Sequence, residues 1–95
     1  MSFRKEKIQE LLHHLAAEFL GKESGPQSLI TVTGVSFNEK KNSAIVFISV
    51  LPKEKEEVAI DFVSRKIRDF KDHIKKNSKI GAIPFISFSL DPSKN

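Results

Sequence analysis

The residues of this sequence best suited to chemistry are lysines and arginines gathered in its second half. Residues 64–79 hold seven basic residues against two acidic ones, a net charge of +5, whereas residues 53–63 hold two against four, a net of −2. The whole chain carries +4, so one segment accounts for the entire excess. Such side chains neutralise phosphate groups. The basic residues of this segment are Arg65, Lys66, Arg68, Lys71, Lys75, Lys76 and Lys79.

Two explanations fit this charge asymmetry. Acids suit the N-terminus of a helix and bases suit its C-terminus, each contributing roughly 0.3–1 kcal/mol. That effect needs only one or two bases in the last turn, and seven exceed it. A surface that faces phosphates is therefore favoured, and a plain solubility surface stays the alternative.

The helix that would carry these bases is predicted to span residues 53–79. Its apolar positions recur at helical spacing and predict one buried stripe: Ala59, Val63, Ile67, Phe70 and Ile74. The main candidates for RNA binding lie near the opposite side of the helical wheel, with Asp72 among them. They are Arg65, Arg68, Lys75 and Lys79, flanked by Lys71 and Lys76. Two smaller candidate patches are Arg4, Lys5 and Lys7 in the first helix, and Lys40 and Lys41 at a hairpin turn.

Aromatic side chains offer a second way to bind single-stranded RNA, by stacking on bases. The chain has eight phenylalanines and no tyrosine or tryptophan. Phe3, Phe47 and Phe85 are the ones that the pattern could leave exposed, but core packing is favoured for each of them. We therefore expect phosphate and shape contacts rather than reading of bases.

Catalytic and metal-binding patterns are weak. The four glycines are scattered at positions 21, 25, 34 and 81, so no phosphate-binding loop forms, and there is no cysteine. His14 and Glu18 are one helical turn apart beside His13, but two ligands do not close a metal site, and surface histidines are the favoured interpretation. No spacing suggests a catalytic triad. We predict a protein that is not an enzyme and uses no cofactor, metal or small-molecule substrate.

Length and composition predict one domain. The chain has 95 residues, and a domain of this size buries about 60–70% of its unfolded surface without disulfides. We expect residues 1–95 to form a single domain with a core over about 4–91 and a polar tail over 92–95. No signal peptide or membrane-spanning run is seen, so a cytoplasmic monomer without a membrane partner is expected. A pI near 9.5 favours an acidic partner, most often nucleic acid.

The predicted elements alternate in a simple order. They are a helix over 4–20 ending at Gly21, a loop over 22–28, strands over 29–37 and 43–51 joined by a turn, the long helix, and a strand over 84–90. The first strand breaks its alternation, and a bulge at Gly34 would bring Val35 and Phe37 to the same face as Ile30 and Val32. The long helix can return the third strand parallel to a neighbour. The sequence thus predicts an α+β fold with helices on one face of a three-stranded sheet.

Three stretches follow one another in this order: residues 29–36 (LITVTGVS), residues 44–51 (AIVFISVL) and residues 83–91 (IPFISFSLD). They resemble the ribosome-binding factor A family, bacterial assembly factors of the small ribosomal subunit. The first matches the family's Thr-Val-x-Gly-Val strand, the second its second strand, and the third its Val-Pro-x-Leu-x-Phe-x-x-Asp ending. The spacing of Arg4 and Ile8 in the first helix also matches the family pattern. The likeness covers about residues 4–91.

The resemblance implies a KH-like fold of the second topology, α-β-β-α-β, in which the second helical segment is kinked. It also implies a protein that binds the small ribosomal subunit at its rRNA, near the decoding-site neck, during late maturation. Members of the family matter for growth in the cold and leave when the subunit is mature. The implied mechanism is occupancy: the bound factor holds immature rRNA until neighbouring helices fold.

One feature departs from the family pattern. The family's kink carries Ala-x-Gly, whereas the matching positions here, 63–65 or 66–68, contain no glycine. Because the apolar stripe also continues in phase, we expect one straight or mildly bent helix. Two alternatives to the ribosomal function stay open. One is a general RNA- or DNA-binding KH-like domain, and the other is a protein-interaction module that docks through Ile45, Phe47 and Phe85.

Overall fold

The computed structural model describes residues 4–23 and 29–94. Phe3 and most of the predicted loop lie outside these ranges. The helices are α1 (Arg4–Glu23), α2 (Glu56–Arg65) and α3 (Ile67–Asn77), and the strands are β1 (Leu29–Asn38), β2 (Ser43–Leu51) and β3 (Phe85–Leu90). Short 3₁₀ turns span Lys53–Lys55 and Pro92–Lys94.

The three strands form one mixed sheet in the order β1-β2-β3. β1 pairs with β2 antiparallel, and β3 returns parallel to β2 after the helical crossover. The register shifts between Val32 and Gly34, which confirms the predicted bulge. Val32 lies opposite Ile48 and Phe37 lies opposite Ala44, all four of them buried. The bulge therefore corrects the alternation of β1 and keeps both apolar pairs on the core side.

All three helices pack against one face of the sheet. Phe70 of α3 is completely buried, with its ring centroid 5.4 Å from that of Phe19 and 5.8 Å from that of Phe88. The opposite face of the sheet carries no helix in the part of the chain that the structure describes. Exposed apolar side chains lie on that open face: Leu29, Ile45, Leu51 and Phe85.

The prediction of one unbroken helix over 53–79 is wrong. The helix breaks at Lys66, which has φ −98° and ψ 6°, and whose N–H donates to the carbonyl of Val63 at 3.0 Å. The next helix begins at once, because the Lys66 carbonyl accepts from the N–H of Phe70 at 2.9 Å. A break of one residue with negative φ needs no glycine. The kinked arrangement that the family resemblance implied is therefore present without its glycine.

Two helix ends also differ from their predicted positions. α1 continues through Gly21 to Glu23, because Gly21 has no positive φ and Leu20 is buried against the core. α3 ends at Asn77, where Ser78 becomes extended and its hydroxyl donates to the carbonyl of Ile74 at 2.8 Å. Lys79 therefore lies outside the helix that was predicted to contain it. No helix among residues 4–23 and 29–94 is long and apolar enough to cross a membrane.

Candidate nucleic-acid interface

One flank of α3 carries a row of basic side chains. Arg68, Lys71 and Lys75 are spaced by three and four residues, so they lie above one another on the helix surface. The ammonium group of Lys71 lies over the ring of Phe85, 5.6 Å from its centroid, so this flank borders the start of β3. Arg68 and Lys75 are exposed to solvent. The row therefore presents positive charge beside the edge of the sheet.

The other flank of α3 is balanced in charge. Lys76 shares a shallow depression between α3 and α1 with Lys22, Asp69 and Asp72. Lys66 lies 4.0 Å from the carboxylate of Asp69, and its ammonium is over the ring of Phe62. Because two carboxylates stand here among the bases, this flank favours an anionic partner less than the row of Arg68, Lys71 and Lys75 does.

Packing of α1 against α3 brings a second basic patch to the end of α3. Phe19 and Glu18, late in α1, contact Phe70 and His73 respectively. Ile80, just beyond α3, borders a depression with Leu11, Ile8, Lys7 and Arg4, which belong to the first half of α1. The two helices therefore run antiparallel. Arg4, Lys5 and Lys7 consequently lie at the same end of the molecule as Lys79.

The hairpin turn between β1 and β2 lies at this end as well. The N–H of Phe37, near the end of β1, donates to the side-chain oxygen of Gln9 in α1 at 3.0 Å. The N–H of Phe85 donates to the carbonyl of Asn42 in the turn at 2.9 Å. The turn holds its shape through Asn42, with φ 46°, and through the Asn38 side chain, which accepts from the N–H of Lys41 at 3.1 Å. Asparagine suits both positions, because it tolerates a positive φ and its side chain accepts hydrogen bonds from nearby backbone N–H groups.

Three patches that were predicted separately thus meet at one end of the molecule, which we call the basic end. Its members are Arg4, Lys5, Lys7, Lys40, Lys41, Lys71, Lys75 and Lys79. The acidic residues in the same turns are Glu6, Glu10, Glu39 and Asp72, the last of which also lines the depression beside Lys76. The opposite end of the sheet is more acidic. There Glu56, at the start of α2, shares a depression with Asp91 and Leu51, and Glu54 and Glu57 are exposed close by along the chain.

Arg65 and Lys79 do not belong to a continuous helical face with Arg68 and Lys75. Arg65 closes α2, where its guanidinium pairs with the carboxylate of Asp61. Arg68 begins α3 on the other side of the break, two turns before Lys75. The predicted face is divided because the helix breaks at Lys66 and ends at Asn77. Binding of RNA by any of these residues stays a prediction.

A contact between Glu18 and His73 joins α1 to α3. The imidazole Nε2 lies 3.0 Å from the carboxylate, and the His73 ring is 5.7 Å from that of Phe19. Sequence reasoning considered Glu18 only with His14, one turn away on the same helix. Within the described ranges, no group of three or more potential metal ligands comes together. The contact serves helix packing.

The order of elements and the mixed sheet, covered by helices on one face, define a KH-like α+β domain of the second topology. The structure is similar to the crystal structure of ribosome-binding factor A from Thermus thermophilus, with a TM-score of 0.79 and 21% identity over 90% of this chain and 94% of that one. It is also similar to the solution structure of a candidate ribosome-binding factor A of Thermotoga maritima, with a TM-score of 0.74 and 26% identity over 94% and 88% of the two chains. No family model and no curated protein sequence matches the chain. The resemblance predicted from the sequence is confirmed by these structures.

Proposed function

We propose that this chain is a ribosome-binding factor of the ribosome-binding factor A type, which binds the small ribosomal subunit through its rRNA during late maturation. The observation that carries the proposal is the shared fold over nine-tenths or more of this chain in both comparisons. The basic end gives the proposal its physical basis, because it gathers eight positive side chains from three separate parts of the chain. We propose that the factor acts by occupancy and catalyses no reaction.

The expected contacts are to phosphates. Lysines at a hairpin turn and along a helix position a protein on RNA, and each neutralised phosphate releases a counterion. A protein that uses these contacts binds by shape and charge rather than by sequence. That mode suits a factor that holds an immature segment of rRNA until its neighbours fold.

The first test is co-sedimentation with purified small subunits, large subunits and whole ribosomes. The wild-type chain is compared with Lys40→Glu/Lys75→Glu at the basic end. The matched control is Lys22→Glu/Lys53→Glu, which changes net charge equally but lies elsewhere. We expect the wild type and the control to sediment with small subunits, and the basic-end variant to lose most of its binding. Circular dichroism first establishes that both variants are folded.

Each other outcome has a definite meaning. Equal sedimentation with all particles would rule out the ribosomal function and leave a general nucleic-acid binder. Equal loss in the two double variants would show that net charge matters and that the basic end is not the site. Small-subunit binding unaffected by Lys40→Glu/Lys75→Glu would keep the ribosomal function and move its surface, with the open sheet face next to be tested.

A further inference from the structure

Phe85 is not explained by core packing. Its side chain is 71% exposed, and every other phenylalanine in the described ranges is buried or half-buried. It begins β3, an edge strand, and its nearest positions on the open face are Ser43 opposite it and Ser87 two residues on, with the exposed Ile45 opposite Ser87. Core packing was the favoured interpretation of this position in the sequence, and the exposure of the ring excludes it.

The backbone that carries this exposed ring is held in place. The backbone N–H of Phe85 is fixed by its hydrogen bond to Asn42, and Pro84, immediately before it, is buried. Lys71 lies over the ring, so the side chain is supported from α3 while most of its surface faces solvent. The backbone position of this flat surface is therefore set before binding, which lowers the entropy that binding has to remove.

The surroundings of the ring are positively charged on two sides. Lys71 and Lys75 stand on the α3 side, and Lys40 and Lys41 lie in the turn that ends at the residue bonded to Phe85. Proteins that bind single-stranded nucleic acids combine such aromatic platforms with basic side chains that follow the phosphates. An apolar protein segment laid on Phe85 would instead have to desolvate these ammonium groups without a partner for them.

We propose that Phe85 is a stacking platform for an unpaired base of single-stranded RNA, with Lys40, Lys41 and Lys71 on the phosphates beside that base. This inference rests on the proposed function and deepens it, because it specifies that the bound rRNA segment is unpaired at the point of contact. A base within a duplex is already stacked between its neighbours and offers no free face to the ring.

The test measures binding to protein-free small-subunit rRNA over a range of salt concentrations. One stacked base contributes about 1–3 kcal/mol, so Phe85→Ala is expected to weaken binding about tenfold. Phe85→Leu should bind as weakly as Phe85→Ala, because leucine is apolar but cannot stack, and Phe85→Trp should bind at least as well as the wild type. The slope of affinity against salt should not change, since no charge is removed.

Leu51→Ala is the matched control, because Leu51 is also exposed on the open face, at its other end, and is 63% accessible. It should bind like the wild type. If Phe85→Ala or Phe85→Leu binds as tightly as the wild type, the stacking inference is overturned while the proposed function stands. A loss seen on intact subunits and absent on protein-free rRNA would also overturn it, in favour of a protein contact. If the wild type binds neither intact small subunits nor protein-free rRNA, the proposed function itself fails.

Discussion

Phe70 joins three elements of the core at a single point. It belongs to α3, and its ring contacts those of Phe19 in α1 and Phe88 in β3. None of its surface is exposed. Aromatic rings in tilted contact at such distances contribute beyond the area that they bury. The position of α3, and with it the row of basic side chains on its outer flank, therefore depends on this ring.

Phe70→Ala is expected to lower the free energy of unfolding by about 3–5 kcal/mol, because it removes a buried ring and leaves a cavity. Phe85→Ala removes the same ring from the surface and should change this free energy by less than about 0.5 kcal/mol. Urea unfolding followed by circular dichroism measures both. Phe70→Leu, a smaller change at the same site, keeps the comparison possible if the alanine variant does not fold. Similar losses at positions 70 and 85 would contradict the difference in burial.

Single residues also show where sequence reasoning stops. The bulge at Gly34 was predictable, because it leaves a mark in the sequence: apolar residues change parity on either side of the glycine. The contact between Glu18 and His73 leaves no such mark, since the two residues are 55 positions apart. The alternation of β3 places Phe85 off the core face, but the extent of its exposure depends on its place at the start of an edge strand, which periodicity does not reveal.

The bulge in β1 leaves one polar atom in an unfavourable position. Thr33 is the extra residue between the paired positions Val32 and Gly34. Its hydroxyl oxygen is buried and has no hydrogen-bond partner among the described residues. A buried hydroxyl that makes no hydrogen bond opposes folding. This loss of stability is a consequence of the bulge. The same shift of register that places the apolar pairs on the core side leaves Thr33 as the unpaired extra residue.

Thr33→Val is therefore expected to raise the free energy of unfolding by about 1 kcal/mol, since valine keeps the branched shape suited to a strand and removes the hydroxyl. Thr31→Val serves as the control, because Thr31 is exposed on the same strand and loses no buried group. Chemical unfolding of the three proteins side by side measures the difference. A loss of stability in Thr33→Val that Thr31→Val does not share would mean that the hydroxyl is hydrogen-bonded in solution.

The break between α2 and α3 shows why an element boundary can escape a periodicity argument. Only Lys66 leaves the helical conformation, and Val63 and Phe70 on either side of it remain completely buried. A continuous apolar stripe is therefore compatible with both a straight and an interrupted helix. The family resemblance implied the interruption correctly, although the glycine that usually accompanies it is missing.

At the scale of the whole molecule, the charge is organised by topology rather than by one segment. The sequence correctly predicts that residues 64–79 carry the excess charge, yet the structure divides those bases between two flanks of α3 and two other segments. The antiparallel packing of α1 brings Arg4 and Lys7 to the end of α3, and the parallel return of β3 brings the hairpin turn there. Neither step depends on charge, which is why counting bases could not reveal the combined surface.

The basic end makes a quantitative prediction about salt. For single-stranded RNA, the logarithm of affinity should fall with the logarithm of salt concentration with a slope of about −0.7 per neutralised phosphate. Lys40→Gln and Lys75→Gln, on different elements of the basic end, should each reduce the steepness by about one phosphate contact, and together by about two. Lys53→Gln, outside the basic end, should leave the slope unchanged although it removes the same charge. Filter binding of protein-free small-subunit rRNA at several salt concentrations measures the wild type and the four variants. If Lys53→Gln lowers the slope as much as the others do, the RNA responds to net charge alone. If only the basic-end variants do so, the hairpin turn and α3 act as one surface, because side chains on a turn and a helix 35 residues apart then contribute to the same binding event.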